Sequence, residues 1–327
     1  MIRVAIDVSP LLQTRAGTAR YLNGLLRELR LRADVELDPR SFGRNTRAST
    51  LLRDAVWYPF RLGRETEADV LHCPTYRGPV RAARPVVVTV HDLAVLRHPD
   101  AFNRWSRLYG PRVVPRVLRN ARLIIAVSEF TRGELHRLLD VDDEKVRVIP
   151  NAAEPQFTSE GPAASGDYVL TVGTLEPRKN LPTLVEATKR ARVELRVVGA
   201  RGWGKVAVNG SRVHWLGEVD DVQLAELYRG ALCLAYPSLY EGFGIPVLEA
   251  MACGTPVVTT RGSAMEEVAD GAAVLVDPED PSDIAAGIER AVADRKELAA
   301  RGLARAHAFR WDAVADATVE VYREAAS

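Results

Sequence analysis

Short apolar runs alternate along this chain with stretches whose apolar residues recur every third or fourth position. The first pattern reads as buried strands and the second as helices packed by one face. In the first half, strands are expected at residues 3–8, 69–73, 86–90, 123–127 and 145–149. Helices are expected from about Ala19 to Leu31, from Arg104 to Asn120 and from Ser128, whose hydroxyl suits a helix cap. Pro111 and Pro115 should break or kink the second of these. Residues 153–167 are polar and rich in Gly, Pro and Ser, and read as a linker. The second half repeats the alternation, with strands at 168–172, 195–198, 213–216, 232–236, 256–259 and 273–276 and helices beginning near Asn180, Asp221, Pro246 and Pro281. Strands separated by helices imply parallel, doubly wound sheets. The chain therefore reads as an α/β protein of two Rossmann-like halves, residues 1–152 and 168–308, with an amphipathic segment at 309–327. Such sheets bind ligands at the carboxyl ends of their strands, so the expected site lies where two of them face across a cleft.

Composition narrows this. With 47% hydrophobic and 27% charged residues in 327, the chain is a globular protein long enough for two cores. No apolar run approaches a membrane span, and the amino terminus reads as a strand rather than a signal peptide. Cys73, Cys233 and Cys253 have no metal-ligand spacing and fit buried hydrophobes in a reducing compartment, so a cytoplasmic location is expected. The net charge of +1 hides an asymmetry: residues 1–150 carry 26 basic and 17 acidic side chains, a net of +9, and the remainder carries −8. Only the basic half is suited to an anionic partner. Its arginine-rich segments, 40–64 and 104–122, interleave Trp57, Tyr58, Phe60, Trp105 and Tyr109. They suit peripheral contact with an anionic membrane, at its inner face, reception of a lipid-phosphate-linked acceptor, or arginine stems covering the core. No nucleic-acid-binding module accompanies them.

Three stretches carry chemistry. In Glu241-Gly242-Phe243-Gly244-Ile245-Pro246-Val247-Leu248-Glu249, a strand, a glycine loop and a helix follow one another, and the helix amino end suits a phosphate. Glu241 lies in the loop and Glu249 in the helix's first turns, so the two suit different ends of one polyhydroxylated ligand. Gly173-Thr174-Leu175-Glu176-Pro177-Arg178-Lys179 ends a strand with two adjacent cations, which would offset charge developing on a diphosphate leaving group. His91-Asp92 ends a strand of the first half, where an imidazole can serve as a proton carrier or a hydrogen-bond anchor. Asp140-Val141-Asp142 spells a D-x-D but reads as solvated surface, and no ligand cluster argues for a metal.

The acidic pair and its setting resemble the E-x7-E motif of family 4 of the retaining glycosyltransferases, which have the GT-B fold. The resemblance implies a terminal helix crossing back onto the first domain and a nucleotide-diphosphate sugar as donor, with no cofactor or metal. It implies that Glu241 holds donor-sugar hydroxyls, Glu249 the ribose, the backbone at Phe243, Gly244 and Ile245 the sugar and phosphate, and Arg178 and Lys179 the diphosphate. His91 would touch the sugar near the reacting carbon, with Asp92 beside it, in a front-face mechanism. Gly17 and Thr18 resemble the family's amino-terminal phosphate loop, and Val219 falls in the loop near the base. Thr174 stands where many relatives have arginine, and Ala152 where a glycine is usual. The Gly173–Asn180 form resembles bacterial polysaccharide mannosyltransferases, making GDP-mannose the first expected donor and a UDP-sugar the second, with a glycan or lipid-linked acceptor. A dinucleotide oxidoreductase would show G-x-G-x-x-G after the first strand, which is missing. A non-catalytic sugar-nucleotide or polysaccharide-binding protein of the same fold is the remaining alternative.

Overall fold

A computed structural model describes residues 1–13, 17–43, 46–64, 67–102, 104–202 and 212–327. Thr14, Arg15 and Ala16, which precede the Gly17-Thr18 loop, lie outside the described residues. The chain divides into two compact units, Met1–Ala152 with Arg310–Ser327, and Ala153–Phe309.

The first unit runs β1 (Ile2–Asp7), α1 (Gly17–Leu29), β2 (Val35–Arg40), α2 (Arg47–Leu52), a π-helical segment Arg53–Arg61, β3 (Val70–Cys73), β4 (Val86–Val90), α3 (Ala94–Arg97), α4 (Arg104–Asn120), β5 (Leu123–Ala126), α5 (Glu129–Leu139) and β6 (Val146–Val148). Its sheet is parallel and ordered β2-β1-β3-β4-β5-β6. The inner strands are buried on both faces, which is why they read as continuous apolar runs. β2, Val-Glu-Leu-Asp-Pro-Arg, was not expected: it is polar because it is the sheet edge, where Pro39 is tolerated opposite Ile6.

Ser128 caps α5 as its sequence suggests, its Oγ accepting from Thr131 N–H at 3.0 Å. Beyond that helix, Asp140 and Asp142 are exposed. α4 runs as one helix through Pro111 and Pro115, so neither proline breaks it. Pro111 is exposed and Pro115 half-buried, and the helix is held through them by the packing of its buried Val114, Val117 and Leu118.

The second unit runs β7 (Tyr168–Val172), α6 (Leu181–Arg190), β8 (Glu194–Val198), β9 (Val213–Gly217), α7 (Asp221–Gly230), β10 (Cys233–Tyr236), α8 (Ile245–Ala252), β11 (Val257–Thr260), α9 (Ala264–Ala269), β12 (Val274–Val276), α10 (Pro281–Ala293) and α11 (Arg295–Ala306). Its parallel sheet is ordered β12-β11-β10-β7-β8-β9. Strand order reverses between β7 and β10, the point at which doubly wound sheets open a crevice at their carboxyl edge. Residues 153–167 are bonded to this unit: Ala164 N–H donates to Glu226 O at 2.9 Å, and Arg229 Nε donates to Pro162 O at 2.6 Å.

The last helix, α12 (Trp311–Ala326), belongs to the first unit. Its Tyr322 hydroxyl bonds His72 Nδ1 at 2.7 Å, and His72 Nε2 bonds Thr89 Oγ1 at 2.8 Å, which in turn lies 3.1 Å from the Tyr21 hydroxyl. Burial pushes His72 down to about 3, so this chain of bonds is neutral. Trp311 lies flat against Gly24 of α1, where a Cβ would come within 2.3 Å of the indole. Gly24→Ala therefore forces the ring out of its seat, and we expect it to cost about 1–3 kcal/mol by overpacking. Thermal unfolding reads this directly, and an unchanged melting temperature would show that the terminal helix does not depend on the close approach.

Candidate functional site at the carboxyl edge of the second sheet

β7 and β10 are neighbours, so the loops that follow them meet although they are far apart in sequence. The turn after β7 presents Arg178 and Lys179, and the loop after β10 presents Glu241. Arg178 Nη1 donates to Glu241 Oε2 at 2.8 Å, and Lys179 Nζ donates to Glu241 Oε1 at 2.6 Å. The Tyr236 hydroxyl lies between them, 2.5 Å from Lys179 Nζ and 3.1 Å from Glu241 Oε1. Glu176 accepts from Arg178 Nη2 at 2.8 Å. Two carboxylates thus offset two cations in a nearly closed cluster.

Burial would raise the Glu241 carboxyl, but Arg178 and Lys179 outweigh it and hold it at about 2. Burial lowers the Lys179 ammonium, against the pull of Glu241. The Tyr236 hydroxyl is pushed up by burial and by the Glu241 charge, so it stays protonated as a donor. A carboxylate has about four lone-pair sites. Lys179, Tyr236 and Arg178 occupy three of those on Glu241, leaving room for one more donor, such as a sugar hydroxyl.

Backbone bonds fix the two loops to one another. Asn180, held at φ 57°, donates from Nδ2 to Pro237 O at 3.2 Å and Pro278 O at 2.6 Å, tying together the loops that follow β7, β10 and β12. Leu239 N–H donates to Arg178 O at 2.8 Å, and Arg178 Nη1 also reaches Tyr240 O at 3.0 Å. Sequence reasoning gave no role to Tyr236, Glu176 or Asn180. Glu176 and Asn180 stood in the same motif as the two cations and were legible there; Tyr236 carried only the signal of a tyrosine ending a buried strand.

Gly244 caps α8 at φ 99°, and a Cβ there would come within 2.7 Å of Met265 Cγ, so glycine alone fits. The amino end of α8 follows directly, with Ile245 half-buried at its start, and its dipole favours an anion. Phe243 is buried edge-on against Phe309, with ring centroids 5.9 Å apart. Glu249 is buried on α8, where its Oε2 accepts from the Tyr228 hydroxyl at 3.0 Å. Val219 is half-buried between β9 and α7, next to Asp220, which caps α7 through Gln223 N–H at 2.8 Å.

In the first unit, His91 follows β4, and its Nε2 lies 3.0 Å from Pro74 O. A carbonyl only accepts, so Nε2 carries the proton and Nδ1 the lone pair. Burial lowers this imidazole to about 4 against the opposing charge of Asp92, so it is neutral near pH 7. The Tyr21 ring meets it edge-on at 4.8 Å. Asp92 Oδ1 accepts from Ala94 N–H at 3.0 Å, so this carboxylate starts α3 and acts on His91 through its charge. Gly17 and Thr18 open α1, both half-buried. Asp7, which the sequence did not single out, ends β1, and burial raises its carboxyl to about 6.

The sequence matches the family model described as Glycosyltransferase Family 4 over residues 16–157 and that described as Glycosyl transferases group 1 over residues 153–305. O-antigen chain mannosyltransferase B of Escherichia coli is 33% identical over 282 residues, covering 78% of this chain and 74% of that protein. This chain belongs to the family 4 glycosyltransferases. MMP alpha-(1->4)-mannosyltransferase of Mycolicibacterium hassiacum is 30% identical over 298 residues, covering 80% of this chain and 72% of that one. Sucrose-phosphate synthase from Thermosynechococcus elongatus superposes with a TM-score of 0.79 at 22% identity, covering 99% of each chain. Two parallel six-stranded sheets with flanking helices give this glycosyltransferase the GT-B fold.

Replacing Glu241 by Gln leaves the buried Lys179 without its carboxylate and Arg178 with Glu176 alone, and we expect a loss of about 3–5 kcal/mol. Because the folded carboxyl titrates near 2, below its unfolded value, its contribution is complete above about pH 4.3 and is lost as pH falls toward 2. Denaturant midpoints measured between pH 7 and pH 3 should therefore fall for the wild type at the acid end, with Glu241→Gln lower throughout and flatter over that window. Parallel curves for the two proteins would contradict the pairing.

Proposed function

We propose that this glycosyltransferase moves a hexose, mannose first, from a nucleotide-diphosphate sugar to an acceptor hydroxyl with retention of configuration, in glycan, polysaccharide or glycolipid synthesis. GDP-mannose is the first donor and a UDP-sugar the second; the acceptor is a glycan or a lipid-linked sugar. The enzyme works in the cytoplasm, peripherally at the inner membrane face, with no metal or cofactor in the reaction. The observation that carries this reading is the Arg178–Lys179–Glu241 cluster at the strand-order reversal of the second sheet. Mannosyltransferase relatives support the choice of sugar.

In this reading Arg178 and Lys179 take the diphosphate together with the amino end of α8, and offset the charge that grows as the sugar–phosphate bond breaks. Glu241 spends its remaining lone pair on a donor-sugar hydroxyl, and Glu249 takes the ribose. Backbone at Phe243, Gly244 and Ile245 lines the sugar and phosphate, and Val219 sits beside the base. Gly17 and Thr18 are further proposed phosphate contacts. His91, neutral and with its Nδ1 lone pair, is the residue nearest the reacting carbon, and Asp92 tunes it. The leaving phosphate, not a protein carboxylate, takes the acceptor proton.

Purified protein incubated with a panel of nucleotide sugars should release nucleotide, fastest from GDP-mannose. His91→Ala should lower that rate by roughly 10²-fold or more at unchanged folding. Absence of release from every donor, with and without lipid-linked or free sugar acceptors, would favour the non-catalytic alternative.

A further inference from the structure

The two arginine-rich segments of the first unit meet across a groove of about 540 Å³ whose lining is mostly apolar, including Pro59, Phe60, Val80, Trp105, Leu108 and Val113. One wall is the helical stretch Arg47–Arg61, which turns an apolar stripe outward: Leu51, Leu52 (51% exposed), Val56 and Phe60 (54% exposed). The spacing is that of one helix face, and it is the face a core-packing helix would bury. The other wall is α4, where Trp105 and Leu108 (56% exposed) face solvent. Exposed large apolar side chains gathered around an apolar groove mark a partner.

Charge identifies the partner. Arg112 and Arg116 of α4 line the groove, and the whole of α4 carries no acidic residue. Arg112 Nη1 bonds Leu108 O at 3.1 Å, which holds that guanidinium beside the apolar wall. Asp54, the one carboxylate in the lining, is buried and already engaged, by Trp105 Nε1 at 3.0 Å and by Arg77 Nη1 at 3.5 Å. The Tyr109 hydroxyl, also in the lining, is buried without a hydrogen-bond partner. Aliphatic residues facing outward between arginines fit acyl chains below phosphates. They do not fit a nucleic acid, which offers no aliphatic surface, and a second copy of this face would set arginines against arginines.

We infer that this face docks the enzyme on an anionic phospholipid bilayer, with an acyl chain seated in the groove and Arg112 and Arg116 at the headgroup phosphates. This deepens the peripheral-contact reading given above and rests on it.

The test is co-sedimentation of the full chain with vesicles of phosphatidylcholine alone and of phosphatidylcholine mixed with phosphatidylglycerol. Wild type should bind the mixed vesicles, weaken with added salt, and leave pure phosphatidylcholine largely unbound. The combined variant Leu52→Glu, Phe60→Glu, Leu108→Glu should lose at least roughly 10-fold in partitioning. Arg112→Gln and Arg116→Gln should each lose roughly 5-fold. All these positions are exposed, so melting temperature and nucleotide binding should stay at wild-type values. Wild type that binds no vesicle would overturn the docking face and the peripheral-contact reading together. Wild type that binds while the triple variant binds equally would overturn the docking face and leave peripheral contact standing. Equal binding to neutral and anionic vesicles would overturn the role of the arginines.

Discussion

Burying two cations at the strand-order reversal of the second sheet is the constraint from which the rest of that unit's site follows. An unpaired buried ammonium is untenable, so Lys179 can sit beneath the crevice only because Glu241 reaches it from the neighbouring loop. That reach requires β10 to lie beside β7, and it requires the two loops to hold still. Asn180, in a left-handed conformation that costs a non-glycine residue, supplies the second requirement by clamping Pro237 and Pro278. The result is a set of charges fixed before any ligand arrives. Pre-organisation of that kind is what electrostatic stabilisation of a leaving group demands.

Around His72 and His91 the first unit meets buried polarity without ions. His72 and His91 are both held neutral by burial; both ring nitrogens of His72 meet hydroxyls, and Nε2 of His91 meets a carbonyl. Tyr21 connects the two, bonded to the Thr89 hydroxyl that His72 also meets and packed edge-on against His91. The terminal helix enters this network through Tyr322 and Trp311, so the last residues of the chain help to seat a histidine that follows a mid-sheet strand. Neutrality keeps the Nδ1 lone pair of His91 available near pH 7, whereas the ion cluster of the second unit holds its charge until strong acid.

The alternation of buried runs and one-faced helices was legible because both sheets are parallel and covered on both faces. β2 was not, since an edge strand with Pro39 and three charged residues lacks the apolar run that marks its neighbours. That α4 continues through Pro111 and Pro115 was not legible, because a local rule about proline does not weigh the packing that holds Val114, Val117 and Leu118. At the site, Glu241, Arg178 and Lys179 stood out by their motifs, but their mutual pairing did not. They are more than 60 positions apart, and only strand order brings them together. Tyr236 and the buried Asp7 gave no local signal beyond ending a buried strand, because their importance comes from neighbours supplied by distant segments.

The central claim is that the paired cations receive a diphosphate. Calorimetric titration of GDP and UDP, each beside its parent nucleoside, into wild type and a folded Lys179→Met variant tests it most directly. The account predicts that wild type binds a nucleoside diphosphate far more tightly than its nucleoside. It also predicts that Lys179→Met loses roughly 10-fold or more for the diphosphate, about the worth of one charge-assisted bond, while the nucleoside is unaffected. A variant that binds the diphosphate as wild type does, or a loss shared equally by diphosphate and nucleoside, would contradict it.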